Sequence, residues 1–233
     1  MVQTREISKT FVDQKRGEVK AVDRVTIEAR PGAILGLLGV NGAGKTTLLR
    51  MLSTVIRPTS GGATGHGFDI ERAPEKVRAN IGFLSNTTAL YGRLTAIEML
   101  SYFGSLYGLS GARLRERLAF VVEKLQLAEF QDRLCDKLST GQKQRVSIAR
   151  AILHDPPVLF FDEPTVGLDV VTAQTIMEFI EGQRDQGRTV VFSTHVMSEA
   201  ERLCDEVAVI HDGHICGSGT LDSLLNETGE HRL

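Results

Sequence analysis

The chain has 233 residues, of which 42% are hydrophobic and 24% are charged, and its formal net charge is −2 at pH 7. This composition is typical of a globular protein with one large domain, or with a core and a smaller subdomain, and it excludes a mostly disordered chain. The slight negative charge argues against nucleic acid as the main partner, because a protein drawn onto DNA needs a positive field.

The start of the chain predicts β-structure. Apolar and polar residues alternate over residues 2–7 and 20–29, and the polar residues 14–18 and the pair Pro31-Gly32 mark turns. Phe11 lies among polar neighbours and could stack its ring on an adenine base, although a lone aromatic residue is more often part of the core.

A strand, a glycine-rich turn and a helix follow in that order. Residues 33–38 form a short apolar run that indicates a buried strand, and residues 46–52 have the composition of a helix. The turn between them fits the phosphate-loop pattern G-x-x-x-x-G-K-S/T. Its residues, with the threonine that follows, are Gly39, Val40, Asn41, Gly42, Ala43, Gly44, Lys45, Thr46 and Thr47.

This loop predicts a site for the β- and γ-phosphates of a nucleotide. Its glycines let backbone N–H groups converge on one point, the helix N-terminus adds partial positive charge, and Lys45 adds a full charge. Thr46 supplies a hydroxyl for Mg²⁺, and Thr47 supplies a further donor to the phosphates. The alternative, a glycine-rich turn with a surface lysine, is disfavoured by the strand and the helix on either side.

The next part of the chain changes from turns to helices. Residues 57–74 are rich in turn formers, and residues 81–84 then form a short apolar strand. This strand ends in polar residues that include Asn86, whose side chain could face the phosphate site. Residues 94–153 are helical, beginning with a capping box of Thr95 and Glu98. Helices inserted between strand–helix units indicate a subdomain.

A second capping box, formed by Ser139 and Gln142, opens the third of these helices. One interpretation is a well-capped helix and nothing more. The other is a second anion site, because the Ser139 hydroxyl, the bare N–H groups around Gly141 and the positive end of the helix dipole all attract negative charge. Capping alone does not decide between the two.

Two carboxylates follow a fully apolar strand over residues 158–161. Asp162 and Glu163 would be expensive to desolvate there without a cation, and the carboxyl end of a strand is where open α/β sheets bind ligands. Asp162 could hold Mg²⁺ through its water shell, and Glu163 could take a proton from an attacking water.

Further polar residues follow the later strands. Asp169 lies in the loop before a helix, and the strand over residues 189–192 leads through Ser193 and Thr194 to His195. A lone histidine is usually a surface or capping residue, but at this edge it is a candidate contact for a γ-phosphate. Residues 207–216 predict a hairpin that turns at Asp212-Gly213.

The cysteines and the amino terminus bear on location. Cys135, Cys204 and Cys216 are isolated, without the paired spacing of a disulfide framework or a zinc site, so we expect three thiols in a reducing compartment. The first residues lack the apolar segment of a secretory signal, and no window approaches the ~20 apolar residues that cross a bilayer. We therefore expect that, if a membrane is involved, another polypeptide spans it.

Taken together, these motifs resemble those of the ATP-binding subunits of ABC transporters, over residues 2–220. The loop around Lys45 resembles the Walker A motif, residues 138–142 the signature motif, residues 158–163 the Walker B motif, residues 167–169 the D-loop, and His195 the switch histidine. The Leu-Ser-x-Gly-Gln match separates this family from other phosphate-loop ATPases. The resemblance implies a single α/β domain over residues 1–233, with a P-loop NTPase core and a mixed sheet. Residues 1–93 and 156–220 would form this core together with an antiparallel β subdomain, and residues 94–155 an inserted α-helical subdomain.

The resemblance also implies a head-to-tail dimer with a second ATPase subunit, identical or different, that encloses two ATP molecules. Each ATP would lie between the phosphate loop of one chain and Ser139, Gly141 and Gln142 of the other, which would account for two anion sites in one chain. Asp169 would carry information across the dimer.

Within one site, the resemblance assigns a role to each remaining residue. Phe11 stacks on adenine, Asp162 and Thr46 hold Mg²⁺, Glu163 is the general base, and His195 steadies the γ-phosphate and the lytic water.

The chain departs from the family pattern at three positions. Asn86 stands where a glutamine that contacts Mg²⁺ is usual, and it keeps the amide but is one methylene shorter. Val40 replaces a proline or serine in the phosphate loop, and Thr140 replaces the first signature glycine. Since Ser139 and Gly141 remain, we expect the signature motif to function.

Two functions remain open. The first is a transport ATPase, peripheral on the cytoplasmic face of the cell membrane and coupled to a separate permease, most similar to the ATPase subunits of two-component sodium or drug exporters. The second is a soluble ABC-type ATPase in nucleic-acid repair or translation, which the absence of a zinc insertion and of a basic extension disfavours. A protein that binds nucleotide without hydrolysis is disfavoured by Glu163 and His195.

Overall fold

The computed structural model describes residues 1–13, 17–85 and 90–229, so that Asn86 lies outside the described residues. The strands are β1 (Val2–Asp13), β2 (Gly17–Val25), β3 (Glu28–Ala29), β4 (Ile34–Leu38), β5 (Ser60–Gly65), β6 (Phe68–Asp69), β7 (Ile81–Leu84), β8 (Val158–Asp162), β9 (Thr189–Thr194), β10 (Glu206–His211) and β11 (His214–Gly219). The helices are α1 (Lys45–Leu52), α2 (Pro74–Ala79), α3 (Ala96–Leu106), α4 (Gly111–Lys124), α5 (Thr140–Ile152), α6 (Val170–Asp185), α7 (Met197–Leu203) and α8 (Leu221–Gly229), with a turn of 3₁₀-helix over Cys135–Lys137.

The main sheet has six strands in the order β11-β10-β4-β9-β8-β7. Neighbouring strands are parallel except for β11, which turns back antiparallel onto β10 through Asp212 and Gly213. Both turn residues have a positive φ, 46° and 81°, as this type of two-residue hairpin turn requires. The mixed sheet and the hairpin are as predicted from the sequence.

The strands β8 and β9 are buried along their whole length. Their apolar residues, 158–161 and 190–192, form continuous runs because packed elements cover both faces of the sheet. Since parallel strands end at the same edge, the carboxyl ends of β4, β8 and β9 bring together the phosphate loop, Asp162 and Thr194. This edge carries the candidate site.

The second sheet is antiparallel, in the order β2-β1-β5-β6, with β3 paired to another part of β1. The prediction of one continuous strand over residues 20–29 is wrong, because Thr4 interrupts it. The Thr4 hydroxyl donates to the Val25 carbonyl at 2.9 Å and accepts from the Ile27 N–H at 2.8 Å, and these side-chain bonds stand where a strand ladder would continue. The predicted turn over residues 14–18 is also too long, since β2 begins at Gly17.

The strands β5 and β6 lie in the stretch over residues 57–74 that was predicted to be rich in turns. The sequence of β5, with three glycines in six residues, has little intrinsic preference for a strand. This segment is a strand because the part of β1 from Val2 to Ser8 pairs with it in antiparallel register. Tertiary pairing therefore overrides local propensity in this strand.

Three helices between β7 and β8 form the helical part of the chain, and both predicted capping boxes are present. The Thr95 hydroxyl accepts from the Glu98 N–H at 3.3 Å, and the Glu98 carboxylate accepts from the Thr95 N–H at 2.8 Å. Ser139 and Gln142 make the equivalent pair at 3.3 and 3.0 Å at the start of α5. The domain boundaries inferred from the sequence stay a prediction.

Asp155, just after α5, forms ion pairs with three arginines. These ion pairs link the helical part of the chain to the main sheet. Arg117 and Arg113 come from α4, at 3.1 and 3.5 Å, and Arg188, beside β9, donates at 2.6 Å. Arg117 also donates to the carbonyls of Leu153 and Ile152, which lack intrahelical partners at the end of α5. Partial burial acts to raise the pKa of Asp155, but the arginine charges outweigh it and hold this pKa below its usual value.

The core lies on both faces of the main sheet. Phe161 and Phe192 pack on the face that α3, α4, α5 and α6 cover, whereas Phe160 and Val191 pack towards α1 and the antiparallel sheet. Successive strand residues point to opposite faces, which produces this division. Among residues 1–13, 17–85 and 90–229, we find no helix with the length and apolar composition to span a bilayer. The three cysteines are free thiols, as expected.

Candidate nucleotide site

The phosphate loop leads from β4 directly into α1, as the sequence predicts. Gly44 precedes the helix with a φ of 111°, and a Cβ atom at this position would collide with the Ala21 carbonyl. No side chain caps α1, so the N–H groups of its first turn remain available to an anion. The loop is fastened from outside by a hydrogen bond of 2.9 Å from the Gly213 N–H to the Ala43 carbonyl.

A cavity of about 190 Å³ opens on this loop. It is lined by Ala21, Asn41, Gly42, Ala43, Gly44, Lys45, Thr46, Thr47 and Glu163. The Lys45 ammonium donates to the carbonyls of Gly39 and Val40 at 2.5 and 3.1 Å, so these two residues hold the lysine while the others form the wall. Convergent N–H groups with a lysine can bind the phosphates of a nucleotide.

Glu163 contacts both Lys45 and His195 from the end of β8. Its Oε1 atom lies 3.0 Å from Lys45 Nζ, and its Oε2 atom lies 3.3 Å from His195 Nδ1. The Glu163 backbone has a φ of 47°, which is strained for a residue other than glycine, and its N–H donates to the Ser193 hydroxyl at 3.0 Å.

Asp162, one residue earlier, is completely buried. Its Oδ1 atom accepts hydrogen bonds from Thr46 at 3.1 Å and from Ser193 at 2.9 Å, while its Oδ2 atom is buried without a hydrogen-bond partner among the described residues. Burial raises the pKa of Asp162, and the charge of Glu163 adds to this, against the lowering effect of the two hydroxyls. An unpartnered buried carboxylate oxygen beside a hydroxyl suits a hard cation such as Mg²⁺.

The residues of the predicted signature motif lie elsewhere. Ser139 is exposed at the start of α5, and neither it nor Gly141 or Gln142 lines the cavity of the same chain. Gly141 instead lies against Thr172. The two residues are so close that a Cβ atom at position 141 would be 3.0 Å from Thr172 Cγ2. Thr172 donates to Asp169 from its N–H at 2.9 Å and from its hydroxyl at 2.8 Å. The structure thus joins Gly141 to Asp169 through a residue that sequence reasoning missed.

The structure does not place Phe11, the predicted contact for adenine, at the cavity. Phe11 is 42% exposed on β1, and its ring lies 5.2 Å from the Lys9 ammonium. Its position is compatible with a base-stacking surface, but it does not line the cavity. Asn86 lies outside the described residues, so its predicted contact with Mg²⁺ stays a prediction.

Sequence reasoning also missed two residues that support the site. Ser193 binds both Asp162 and the Glu163 backbone, and its place beside His195 at the end of an apolar strand was a signal that could have found it. Gln144 donates to the Pro164 carbonyl at 2.7 Å and so joins α5 to the segment that follows Glu163. Nothing local in the sequence indicates this second contact.

A protein-family model described as "ABC transporter" matches residues 22–166. The chain belongs to the ABC transporter family. Among its relatives, the ABC transporter ATP-binding protein NatA of Bacillus subtilis (strain 168) is 40% identical over 96% of this chain and 91% of NatA. The daunorubicin/doxorubicin resistance ATP-binding protein DrrA of Streptomyces peucetius is 36% identical over 99% of this chain and 70% of DrrA.

Solved structures agree with the family assignment. The ATP-binding subunit of an ABC transporter superimposes with a TM-score of 0.88 and 29% identity, covering 100% of this chain and 95% of that one. The ATP-binding cassette MJ0796, solved as a dimer in a post-hydrolysis state with ADP and Pi, superimposes with a TM-score of 0.87 and 27% identity, covering 95% of this chain and 99% of that one. The predicted family, fold class and ATPase activity are confirmed: this ABC ATPase is an ATP-binding subunit of the transporter type.

Proposed function

We propose that this ABC ATPase hydrolyses Mg-ATP in a site shared by two ATPase subunits and thereby powers export through a separate membrane permease. One observation carries the proposal. Lys45, Asp162, Glu163 and His195 meet at one edge of the main sheet, while the start of another helix, at Ser139, is exposed and does not line the cavity of the same chain.

The phosphate loop binds the β- and γ-phosphates of ATP. The N–H groups of residues 41–45 surround these phosphates, and the positively charged Lys45 ammonium contacts them. Thr47 donates a further hydrogen bond. The phosphates replace the carboxylate of Glu163 at Lys45, because both anions use the same ammonium. Phe11 lies on β1, which pairs with the strand that carries Ala21, and stacks on the adenine.

Thr46 and Asp162 hold Mg²⁺, with Asn86 as a further ligand. When bound, Mg²⁺ neutralises phosphate charge and orients the γ-phosphate for attack. The chain prepares the position: Asp162 is kept in place by Ser193, and its unpartnered Oδ2 atom gains a partner when the cation binds.

Glu163 accepts the proton of the attacking water, and His195 steadies the γ-phosphate and that water. Once Lys45 has turned to the phosphates, the Glu163 carboxylate keeps its contact with His195 and is free to accept a hydrogen bond from water. Its backbone, fastened by Ser193, limits the directions in which the carboxylate can point.

The second half of each site comes from a partner subunit, identical or different. Ser139, Gly141 and Gln142 contact the γ-phosphate held by the partner, where the hydroxyl and the N–H groups at the start of α5 complete its coordination. Asp169 connects the two sites, because Thr172 joins it to Gly141 within the chain. The dimeric cassette MJ0796 with ADP and Pi supports the pairing of two such subunits.

The cargo class follows from the relatives and not from the site. One relative is named for resistance to daunorubicin and doxorubicin, and the motifs resemble those of two-component sodium or drug exporters. We propose a drug-like organic compound or a sodium ion as cargo, a peripheral position on the cytoplasmic face of the membrane, and a permease that carries the membrane-spanning helices. The net charge of −2 disfavours the alternative role in nucleic-acid repair or translation.

A pull-down tests this proposal. Glu163→Gln protein, which should retain Mg-ATP and the closed dimer, is used to capture partners from detergent-solubilised native membranes, with Lys45→Ala as the variant that cannot hold ATP. We expect a polytopic membrane protein with the first variant in Mg-ATP and much less of it with the second. Recovery of ribosomes or soluble factors alone would overturn the transport assignment.

A further inference from the structure

A carboxylate on the helix after His195 binds two segments of the candidate site at once. Glu199 lies in α7 and is half-buried. Its Oε1 atom accepts a hydrogen bond from the Thr165 hydroxyl at 2.6 Å, and its Oε2 atom accepts one from the Thr194 hydroxyl at 2.5 Å. An ionised carboxylate can only accept, so both bonds are charge-assisted and have the lengths of strong hydrogen bonds.

Thr194 connects Glu199 to the strand end that carries His195. It is the last residue of β9, it is 2% exposed, and it directly precedes His195. Its hydroxyl also accepts from the Val196 N–H at 3.0 Å, and its carbonyl accepts from the N–H of Gly39, the first residue of the phosphate loop, at 3.3 Å. The backbone on both sides of His195 is therefore held through one threonine.

Thr165 connects the same carboxylate to the segment that carries Glu163. It is 7% exposed and lies two residues after Glu163, and its carbonyl accepts from the N–H of Leu168, the residue before Asp169. The ladder between β8 and β9 ends with Asp162 opposite Ser193. Beyond that point, Glu199 links the two chain segments through side chains.

We propose that Glu199 is a positioning residue for ATP hydrolysis, which holds His195 and Glu163 at the separation that the reaction needs. The inference rests on the proposed roles of these two residues, whose side chains lie 3.3 Å apart. Glu199 acts on them through Thr194 and Thr165. Without its carboxylate, two buried hydroxyls lack an acceptor, and the segments shift until the hydroxyls find other partners. Glu199 forms no hydrogen bond with Lys45 or Thr46, which bind the Gly39 carbonyl and Asp162.

The test measures kcat and KM for ATP, and ATP affinity, in the full-length chain. We expect Glu199→Ala to lower kcat about 10- to 100-fold, as a misplacement of reacting groups by about 1 Å does, with KM and ATP affinity nearly unchanged. Glu199→Gln keeps one acceptor and should fall between Ala and wild type. Glu201→Gln, an exposed glutamate on the same helix, is the matched control and should behave as wild type. Wild-type kcat in Glu199→Ala would overturn the proposal.

A double-mutant cycle separates positioning from a general loss of structure. If Glu199 acts through His195, then Glu199→Ala should have little further effect on kcat in a His195→Ala background. Equal, independent losses in both backgrounds would overturn the proposal, because they would mean that Glu199 only supports the fold. Should Glu199→Ala not fold, Thr194→Val removes the link between Glu199 and the segment of His195 and allows the same cycle.

The same measurements distinguish a failure of the role proposed for Glu199 from a failure of the proposed function. Full activity in Glu163→Gln and His195→Ala would remove the assigned catalytic residues, and Glu199 would have nothing to position. Loss of activity in these two variants, with Glu199→Ala equal to Glu201→Gln, would leave the proposed function intact and overturn the role of Glu199 alone.

Discussion

The Nζ atom of Lys45 lies 3.0 Å from Oε1 of Glu163, inside the cavity that the phosphate loop forms. Only 4% of the lysine side chain and 12% of the glutamate side chain are exposed, so water screens this pair weakly. The residue proposed to bind phosphate and the residue proposed to activate water are therefore charge partners. A bound phosphate must compete with the carboxylate for the same ammonium.

Glu163→Gln should separate binding from hydrolysis. Removal of the general base is expected to lower ATP turnover by at least about 100-fold. Removal of the competing negative charge should leave ATP affinity unchanged or raise it by up to about tenfold, which corresponds to about 1.4 kcal/mol. Phosphate release and calorimetric ATP binding measure the two effects. Hydrolysis at the wild-type rate would show that another group takes the proton.

Asp162→Asn should stabilise the protein in the absence of Mg²⁺ and weaken its use of Mg-ATP. Burial raises the pKa of Asp162 above its ordinary value of 3.8, so the folded state carries a penalty for the charged form. This penalty is absent at pH values below the ordinary pKa and fully present at pH values above the raised pKa of the folded state. The loss of stability that it causes therefore grows as the pH rises. Asparagine removes it, and we expect a higher free energy of unfolding than in the wild type near neutral pH.

Urea unfolding with and without Mg-ATP, at neutral and at acidic pH, checks this expectation. The gain from Asp162→Asn should vanish at acidic pH, and the wild type should gain more stability from Mg-ATP than the variant does. Ser193→Ala is the useful comparison, because it removes a hydrogen bond to Asp162 and keeps the charge. An Asp162→Asn protein that is less stable than wild type at neutral pH would contradict the prediction.

Gly141→Ala tests the contact between α5 and α6. The new methyl group would lie 3.0 Å from Thr172 Cγ2, and Thr172 cannot easily rotate away because Asp169 holds both its N–H and its hydroxyl. We expect a loss of about 1 kcal/mol in stability, typical of mild overpacking, together with reduced ATP turnover. Thr172→Ser, which removes the methyl group and keeps the hydroxyl, should restore both in the double variant. Failure of this rescue would mean that the contact is not the cause.

His154 should make stability fall in mildly acidic solution. Its Nε2–H donates to the Ile81 carbonyl at 3.0 Å, and its Nδ1 atom is buried without a partner among the described residues. Its ring stacks on that of Tyr107, with 3.7 Å between the ring centroids. Burial lowers the pKa of His154 from 6.5 to about 4, with the charges of Arg117 and Arg188 acting in the same direction and the Ile81 bond and Asp155 opposing them.

The unfolded chain therefore binds a proton between the two pKa values and the folded chain does not, so stability decreases as pH falls from 6.5 to about 4. The full decrease from this residue is roughly 3 kcal/mol. His154→Gln keeps a donor for Ile81 and cannot be protonated, so its unfolding free energy should change less with pH over this interval. Parallel pH profiles for the two proteins would argue against His154 as the source.

Features with a local cause were predictable from the sequence. The phosphate loop, the strand β7, both capping boxes and the turn at Asp212-Gly213 are each decided by a few neighbouring residues. The edge position of Asp162 and Glu163 was also predictable, because the apolar run before them is typical of a strand buried on both faces.

Features that depend on distant partners were not predictable. β5 is a strand because β1 pairs with it, and the strand predicted over residues 20–29 is broken by a hydroxyl from Thr4. Thr172 and Glu199 look like ordinary helix residues in the sequence, and their contacts with Gly141 and Thr165 join residues that lie about 30 positions apart in the chain. No period or spacing in a single sequence encodes such contacts.

The phosphate loop is held on several sides by parts of the same chain. Ala21 from the antiparallel sheet lies against Gly44, Gly213 from the hairpin binds the Ala43 carbonyl, and Thr194 receives the N–H of Gly39. The receptor for the phosphates is thus preorganised, and little conformational entropy is lost when the nucleotide binds. The free energy of ATP binding is therefore not used to order this loop. It remains available to favour the association of two subunits, so that a rigid loop in each subunit promotes movement of the subunits relative to each other.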